Sequence, residues 1–225
     1  MLRCRRTSVQ RYAECVGVLV VATNVSKFYG TTRALREASV QVGTGEVVAL
    51  SGSNGSGKST LLRVLSTLTM PTRGTVRFPA LGGSKESARS QLGYVAHEAM
   101  GYADLSAREN VALVADLLGG MAHERVEASC ARLGITEFAD RPLKACSRGQ
   151  RQRVAIARAM VGEPKLLLLD EPTTGLDEAG VEVLRSLLLE LRERGVGIAL
   201  VVHERGWASG LITRDVRLER GRVLQ

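Results

Sequence analysis

The chain has 225 residues, of which 44% are hydrophobic and 24% are charged, and its formal net charge is +8. This length and composition are typical of a globular protein with one large domain or two small ones, and they exclude a disordered or fibrous chain. No apolar run approaches the length needed to cross a bilayer. The basic excess suits a polyphosphate ligand or an anionic membrane surface. No nucleic-acid-binding module is visible, so we expect no nucleic-acid partner.

The N-terminal residues 1–17 carry four arginines ahead of a valine-rich run and superficially resemble a secretory signal. The valine run is better used as a first β-strand. We therefore expect residues 1–17 to form a disordered extension and residues 18–225 to form the folded domain. The four cysteines show neither paired nor zinc-binding spacing, which favours reduced thiols.

A glycine-rich segment, residues 52–59, follows the apolar run 47–50 and precedes a helical pattern at 61–65. It matches the phosphate-loop pattern GxxxxGK[ST], whose N–H groups and following helix attract phosphate oxygens. Lys58 would contact the β- and γ-phosphates, and Ser59 would offer its hydroxyl to Mg²⁺. The alternative is an ordinary glycine-rich turn beside a lysine. The predicted ATP-binding residues are Gly52, Ser53, Asn54, Gly55, Ser56, Gly57, Lys58, Ser59 and Thr60.

A run of four leucines, residues 166–169, ends at Asp170 and Glu171. Such a run predicts a buried parallel strand, and open α/β sheets bind ligands at the carboxyl ends of their strands. Asp170 would hold the Mg²⁺ shell, and Glu171 would polarise an attacking water. The alternative is a strand that ends in a solvated acidic turn. Another buried strand is predicted at 198–202 and ends at His203.

The segment Ser147-Arg148-Gly149-Gln150 has the spacing of a capping box. Apolar residues at helical spacing follow it, so a helix is predicted from residue 149 to 161. The Ser147 side chain and the N–H groups of Arg148 and Gly149 would then form an anion site at a helix N-terminus. An ordinary N-cap is the alternative.

In this order, the phosphate loop, SRGQ, LLLLDEP, GLD and the strand-end histidine resemble the nucleotide-binding subunit of ATP-binding cassette (ABC) transporters. The resemblance covers residues 18–225. It implies an α/β P-loop NTPase with a mostly parallel sheet, an N-terminal antiparallel β region and a helical subdomain at about residues 98–160. It also implies that each ATP is hydrolysed between two ATPase subunits, a second copy or a homologue. A polytopic membrane subunit would complete the transporter, with this chain bound peripherally at the cytoplasmic face of the cell membrane.

The resemblance assigns further roles residue by residue. Tyr29 matches the aromatic residue that stacks on adenine, with core packing as the alternative. His203 matches the histidine that contacts the γ-phosphate. Asp177 matches the acid that couples the two sites across the dimer. Ser147 to Gln150 match the signature that reaches the partner's ATP, and Arg148 replaces the usual first glycine.

His97 stands where most family members have a glutamine that contacts Mg²⁺ and the attacking water. A neutral imidazole can accept one hydrogen bond and donate another, whereas a protonated one would repel Mg²⁺. We therefore expect a neutral His97 to serve at this metal site, with a surface-loop histidine as the alternative. With the segment 102–111 and the Ser-Arg-Gly signature, His97 resembles the ATPase subunit of the cytochrome c biogenesis haem exporter. That resemblance implies export, with haem as the cargo, although related ATPases that serve drug, polysaccharide or unknown exporters share these features.

Two other classes compete with a transport ATPase. A soluble ATPase of the same fold is one, such as an iron–sulfur cluster assembly subunit, although the signature of that group usually ends in Glu rather than Gln150. DNA-repair and translation members carry insertions or a second cassette that this chain lacks. A nucleotide-binding regulator without hydrolysis is the other, and the intact Asp170, Glu171 and His203 argue against it.

Overall fold

A computed structural model describes residues 17–120, 123–202 and 206–224. Within these ranges nine strands form two sheets, and six α-helices accompany them. The strands are β1 Val18–Tyr29, β2 Thr32–Gly43, β3 Val47–Ser51, β4 Arg73–Arg77, β5 Leu92–Val95, β6 Leu166–Asp170, β7 Gly197–Val201, β8 Arg214–Glu219 and β9 Arg222–Leu224. The helices are α1 Lys58–Leu65, α2 Lys85–Arg89, α3 Ala107–Leu117, α4 His123–Arg132, α5 Arg148–Met160 and α6 Glu178–Glu193.

The smaller sheet is the antiparallel N-terminal region, with the strand order β2-β1-β4. Apart from Gly17, the predicted extension at residues 1–17 lies outside the described residues. Gly17 directly precedes β1, and its carbonyl accepts a hydrogen bond from the Thr44 backbone N–H at 2.7 Å. The first strand of this sheet is therefore tied to the chain just after β2.

The larger sheet has the order β5-β6-β7-β3-β8-β9. All neighbouring pairs from β5 to β8 are parallel, and only β9 runs antiparallel to its neighbour. The predicted fold class, a mostly parallel sheet with a separate antiparallel region, is confirmed. Because β3, β5, β6 and β7 point the same way, the segments that follow them emerge at one edge of the sheet.

The central strands are buried on both faces, as their continuous apolar sequences predict. In β6, Leu167 and Leu169 pack into a core shared with the helices α3 to α6. Leu166 and Leu168 pack into a second core with α1 and the antiparallel sheet. Successive side chains of a strand point to opposite faces, so one short strand joins two hydrophobic cores.

The helices α3, α4 and α5 follow β5 and match the predicted helices 106–118, 123–133 and 149–161 to within about two residues. Ser106 and Glu109 form a capping box at the start of α3. None of the helices in the described part of the chain combines the length and apolar character that spanning a bilayer requires.

Candidate functional site

The glycine-rich loop lies between β3 and α1, and two of its glycines could not be replaced. Gly52 has φ +140°, and a Cβ there would lie 2.2 Å from the carbonyl oxygen of Leu218. Gly57 has φ +105°, and a Cβ there would lie 2.6 Å from the carbonyl oxygen of Ala34. Only glycine tolerates both the left-handed backbone and this close approach. The loop is thus held against β8 and β2, while residues 53–55 remain exposed.

The Lys58 side chain is folded back into this loop. Its Nζ donates hydrogen bonds to the carbonyl oxygens of Gly52, at 2.8 Å, and Ser53, at 3.0 Å. The lysine is buried, so its charge is confined beside the loop backbone. A confined cation at the N-terminus of a helix is suited to bind a polyphosphate.

Ser59 and Asp170 meet where α1 approaches the end of β6. The Ser59 hydroxyl donates to Asp170 Oδ1 at 3.1 Å. Asp170 is 0% exposed, and its Oδ2 has no hydrogen-bond partner among residues 17–120, 123–202 and 206–224. Burial raises the pKa of the Asp170 carboxyl, and the hydrogen bond from Ser59 opposes that effect. Buried polar atoms normally have a partner, so this carboxylate oxygen is available to bind a ligand from outside the protein.

This pair of oxygen donors fits a hard divalent cation. Mg²⁺ prefers hydroxyl and carboxylate oxygens, and it binds through one or two protein ligands together with substrate phosphates. Within residues 17–120, 123–202 and 206–224, no group of three or more His, Cys, Asp or Glu side chains could hold a metal by itself. Ser59 and Asp170 could therefore hold Mg²⁺ in company with a bound nucleotide.

His97 and Glu171 are brought together by the register of two parallel strands. Val95 of β5 pairs with Leu169 of β6, so the residues two positions further on leave the sheet side by side. His97 Nδ1 lies 3.1 Å from Glu171 Oε2. Glu171 has φ +53°, which is uncommon for a residue other than glycine. Its side chain is 22% exposed and can therefore reach a water molecule.

The signature segment forms the capping box that its spacing predicts. The Gln150 N–H donates to Ser147 Oγ at 3.2 Å, and the Ser147 N–H donates to Gln150 Oε1 at 2.9 Å. The start of α5 borders a cavity of about 350 Å³ that Asp177 also lines. No described residue that lines this cavity belongs to the glycine-rich loop. The start of α5 thus borders a cavity to which the described residues of the glycine-rich loop do not contribute.

The signature turn packs directly on the segment after β6. A Cβ on Gly149 would lie 2.5 Å from the carbonyl oxygen of Gly175, and a Cβ on Gly175 would lie 2.9 Å from Arg148 Cγ. Buried Gln152 donates to the Pro172 carbonyl at 2.9 Å. The exposed Arg148 therefore lies over Gly175, and the two segments form one unit.

Asp177 adds a further contact between these two segments. Its Oδ1 accepts hydrogen bonds from the Gly180 N–H, at 2.9 Å, and from Arg153, at 3.0 Å. The Gly180 N–H and then the Arg153 guanidinium hold the pKa of Asp177 below its usual value. Sequence reasoning missed Gln152 and Arg153, because nothing in the amphipathic pattern of α5 indicates that either would reach a segment some twenty residues away.

One predicted residue, Tyr29, takes part in none of these contacts. Tyr29 ends β1 and is 46% exposed, with Lys27 Nζ 5.1 Å from the centre of its ring. A core-packed ring, the alternative reading, does not fit that exposure. His203 lies outside the described residues.

Known proteins resemble the chain over most of its length. The family model described as "ABC transporter" matches residues 35–174. The phosphonates import ATP-binding protein of Rhodopseudomonas palustris is 36% identical, over 89% of this chain and 79% of that protein. The lipopolysaccharide export system ATP-binding protein of Acidithiobacillus ferridurans is 35% identical, over 92% of this chain and 88% of that protein.

A solved structure agrees with these relatives. A dimeric ATP-binding cassette in a post-hydrolysis state, bound to ADP and Pi, has a TM-score of 0.85 and 30% identity, over 92% of this chain and 97% of that one. The chain therefore belongs to the ABC transporter family and is one of its ATP-hydrolysing nucleotide-binding subunits.

The burial of Asp170 predicts a conflict between stability and activity. Asp170→Asn removes a charge from a site with an unpartnered oxygen, so the nucleotide-free protein should become more stable. We expect the melting temperature in EDTA to rise by about 2–4 °C, while ATP hydrolysis is lost. Asp116→Asn, at an exposed carboxylate of α3, is the control and should change neither property. A lower melting temperature for Asp170→Asn would contradict this description of the site.

Proposed function

We propose that two copies of this chain, or one copy and a homologous ATPase subunit, close around two molecules of ATP. Each ATP would lie between the glycine-rich loop of one subunit and the signature turn of the other. The observation that carries this proposal is that the anion site at the start of α5 borders a cavity to which its own loop contributes no described residue. A separate anion site of this kind is explained if its phosphate comes from a second subunit.

In the loop half of the site, Lys58 and the backbone N–H groups hold the β- and γ-phosphates. Bound Mg²⁺, held by Ser59 and by the shell that Asp170 supports, would neutralise charge on the phosphate oxygens. Glu171 accepts a hydrogen bond from water and orients it for attack on the γ-phosphorus. The bond between that phosphorus and the ADP oxygen breaks, and ADP and phosphate are released.

In the signature half, Ser147 has a suitable hydroxyl. Its oxygen already accepts from the Gln150 N–H, which leaves the hydroxyl hydrogen free to donate to a phosphate. The N–H groups of Arg148 and Gly149 lie in the first turn of α5, where the helix dipole favours negative charge. We propose that Tyr29 stacks on adenine and that His203 contacts the γ-phosphate, as the family resemblance implies.

A membrane subunit is the proposed partner of a second surface. A cleft of about 600 Å³ lies between the end of β5 and the helices α3 and α5, and Leu68 and Met100 line it. Both side chains are well exposed, Leu68 at 65% and Met100 at 69%. An exposed apolar cleft suits an amphipathic helix of a partner. Such a partner would place this chain at the cytoplasmic face of a membrane.

Haem is the most specific cargo that the sequence suggests. The suggestion rests on His97, the segment 102–111 and the Ser-Arg-Gly signature. The relatives of similar identity include ATP-binding proteins of phosphonate import, of glutamine transport and of lipopolysaccharide export. Cargo and direction therefore vary among proteins about equally similar to this chain. We propose haem export on the sequence resemblance alone, and identification of the co-purifying membrane subunit tests it.

Glu171→Gln tests the assigned chemistry. The amide keeps the size of the side chain but loses the charge that polarises water, so turnover should fall about a hundredfold or more while ATP still binds. Steady-state ATPase assays and equilibrium binding of ATP check the two parts separately. Glu124→Gln, an exposed position on α4, is the control. Wild-type turnover in Glu171→Gln would show that Glu171 does not polarise the attacking water.

Leu68→Glu tests the membrane partner. A charge in the cleft should prevent an apolar helix from binding, so the protein should no longer co-purify with its membrane subunit. The isolated subunit should keep its ATPase activity within about twofold, because Leu68 is an exposed residue in the bend after α1. Val183→Glu, at an exposed apolar position on α6, is the control. Undiminished co-purification of Leu68→Glu would place the partner elsewhere.

A further inference from the structure

The contact between His97 and Glu171 differs from the role that the resemblance assigns to position 97. There, a side chain touches the metal and the attacking water. In this structure the imidazole touches the carboxylate of Glu171, with Nδ1 3.1 Å from Oε2. That separation lies within the range of an N–H···O hydrogen bond. An ionised carboxylate oxygen can only accept a hydrogen bond, so opposite an ionised Glu171 the donor is Nδ1.

Glu171 has a side chain whose orientation a hydrogen bond from His97 can restrict. It stands on the turn after β6, with φ +53°, and its side chain is partly exposed. A flexible glutamate side chain gives up considerable rotamer freedom when it is held in one place. A hydrogen bond from a group on the neighbouring strand restricts that freedom before ATP binds.

We propose that His97 is a positioning residue, which holds the Glu171 carboxylate toward water by donating a hydrogen bond from Nδ1. The inference rests on the proposed function, in which Glu171 orients the attacking water. When the Nδ1–H donates its hydrogen bond to Glu171, Nε2 of a neutral ring keeps a lone pair that can accept a hydrogen bond from water. The imidazole then contacts the carboxylate and the water site at once.

The bonding of the imidazole predicts which substitutions restore the contact. Nδ1 is one bond from Cγ, and so is the amide nitrogen of asparagine. The amide nitrogen of glutamine is two bonds from Cγ and corresponds to Nε2. Asparagine at position 97 should therefore reproduce the hydrogen bond to Glu171, whereas glutamine reproduces the family's usual contact with the metal and water.

The kinetic test compares three variants of the full-length protein. His97→Ala should lower kcat by about ten- to hundredfold, because a misplaced reacting group costs that much, with the KM for ATP within about twofold. His97→Asn should recover kcat to within about threefold of the wild type. His123→Asn, at an exposed histidine beside Glu127, is the control. Wild-type kcat in His97→Ala would overturn the proposal. It would also be overturned if kcat in His97→Asn fell as far as in His97→Ala while His97→Gln stayed active.

A spectroscopic test detects the hydrogen bond independently of ATP hydrolysis. The chain has only three histidines, so the ring signals of ¹⁵N-histidine-labelled, nucleotide-free protein can be assigned with His97→Asn and His123→Asn. We expect a proton on Nδ1 of His97, and we expect the chemical shift of that nitrogen to change in Glu171→Ala. A proton on Nε2 alone would overturn the proposal. Failure of the proposed function would be seen instead as normal turnover in Glu171→Gln, whatever the imidazole does.

Discussion

The parallel register that aligns the ends of β3, β5 and β6 is the constraint on which the site depends. It brings Ser59 to Asp170 and His97 to Glu171, and each pair joins segments far apart in the chain. A slip of β6 by one residue would exchange the faces of Asp170 and Glu171 and break both contacts. The two cores on either side of β6 resist such a slip, because its leucines fill both of them.

The same strand links the two halves of the proposed ATP site. Beyond Asp170 and Glu171 the chain runs through Pro172 and Gly175 to Asp177, and the signature turn packs on this segment. The phosphate proposed to bind at Ser147 would therefore contact a segment that is continuous with the acid pair. These contacts include the close approach of Gly149 to the Gly175 carbonyl and the buried hydrogen bond from Gln152 to Pro172, and tightly packed contacts of this kind are stiff.

Much of this site could be predicted from the sequence because its chemistry is written in local patterns. The glycine-rich loop, the acids after four leucines and the capping box at Ser147 each depend on neighbours within a few residues. The contact of His97 with Glu171 could not be predicted, because it depends on the pairing of two strands that no local pattern sets in register. Gln152 and Arg153 were missed for the same reason, since their partners lie across the turn after β6. The strand order, with β7 between β6 and β3, is also a property of packing rather than of any one segment.

A mixing experiment tests most directly whether the ATP site is shared between subunits. Lys58→Ala disables the loop, and Ser147→Asn removes the signature hydroxyl while keeping a residue that caps α5 well. Each variant alone should be inactive. An equal mixture should recover about a quarter of wild-type turnover, since half the dimers are mixed and each mixed dimer holds one complete site. A mixture no more active than its components, with wild-type specific activity independent of protein concentration, would contradict a site built from two subunits.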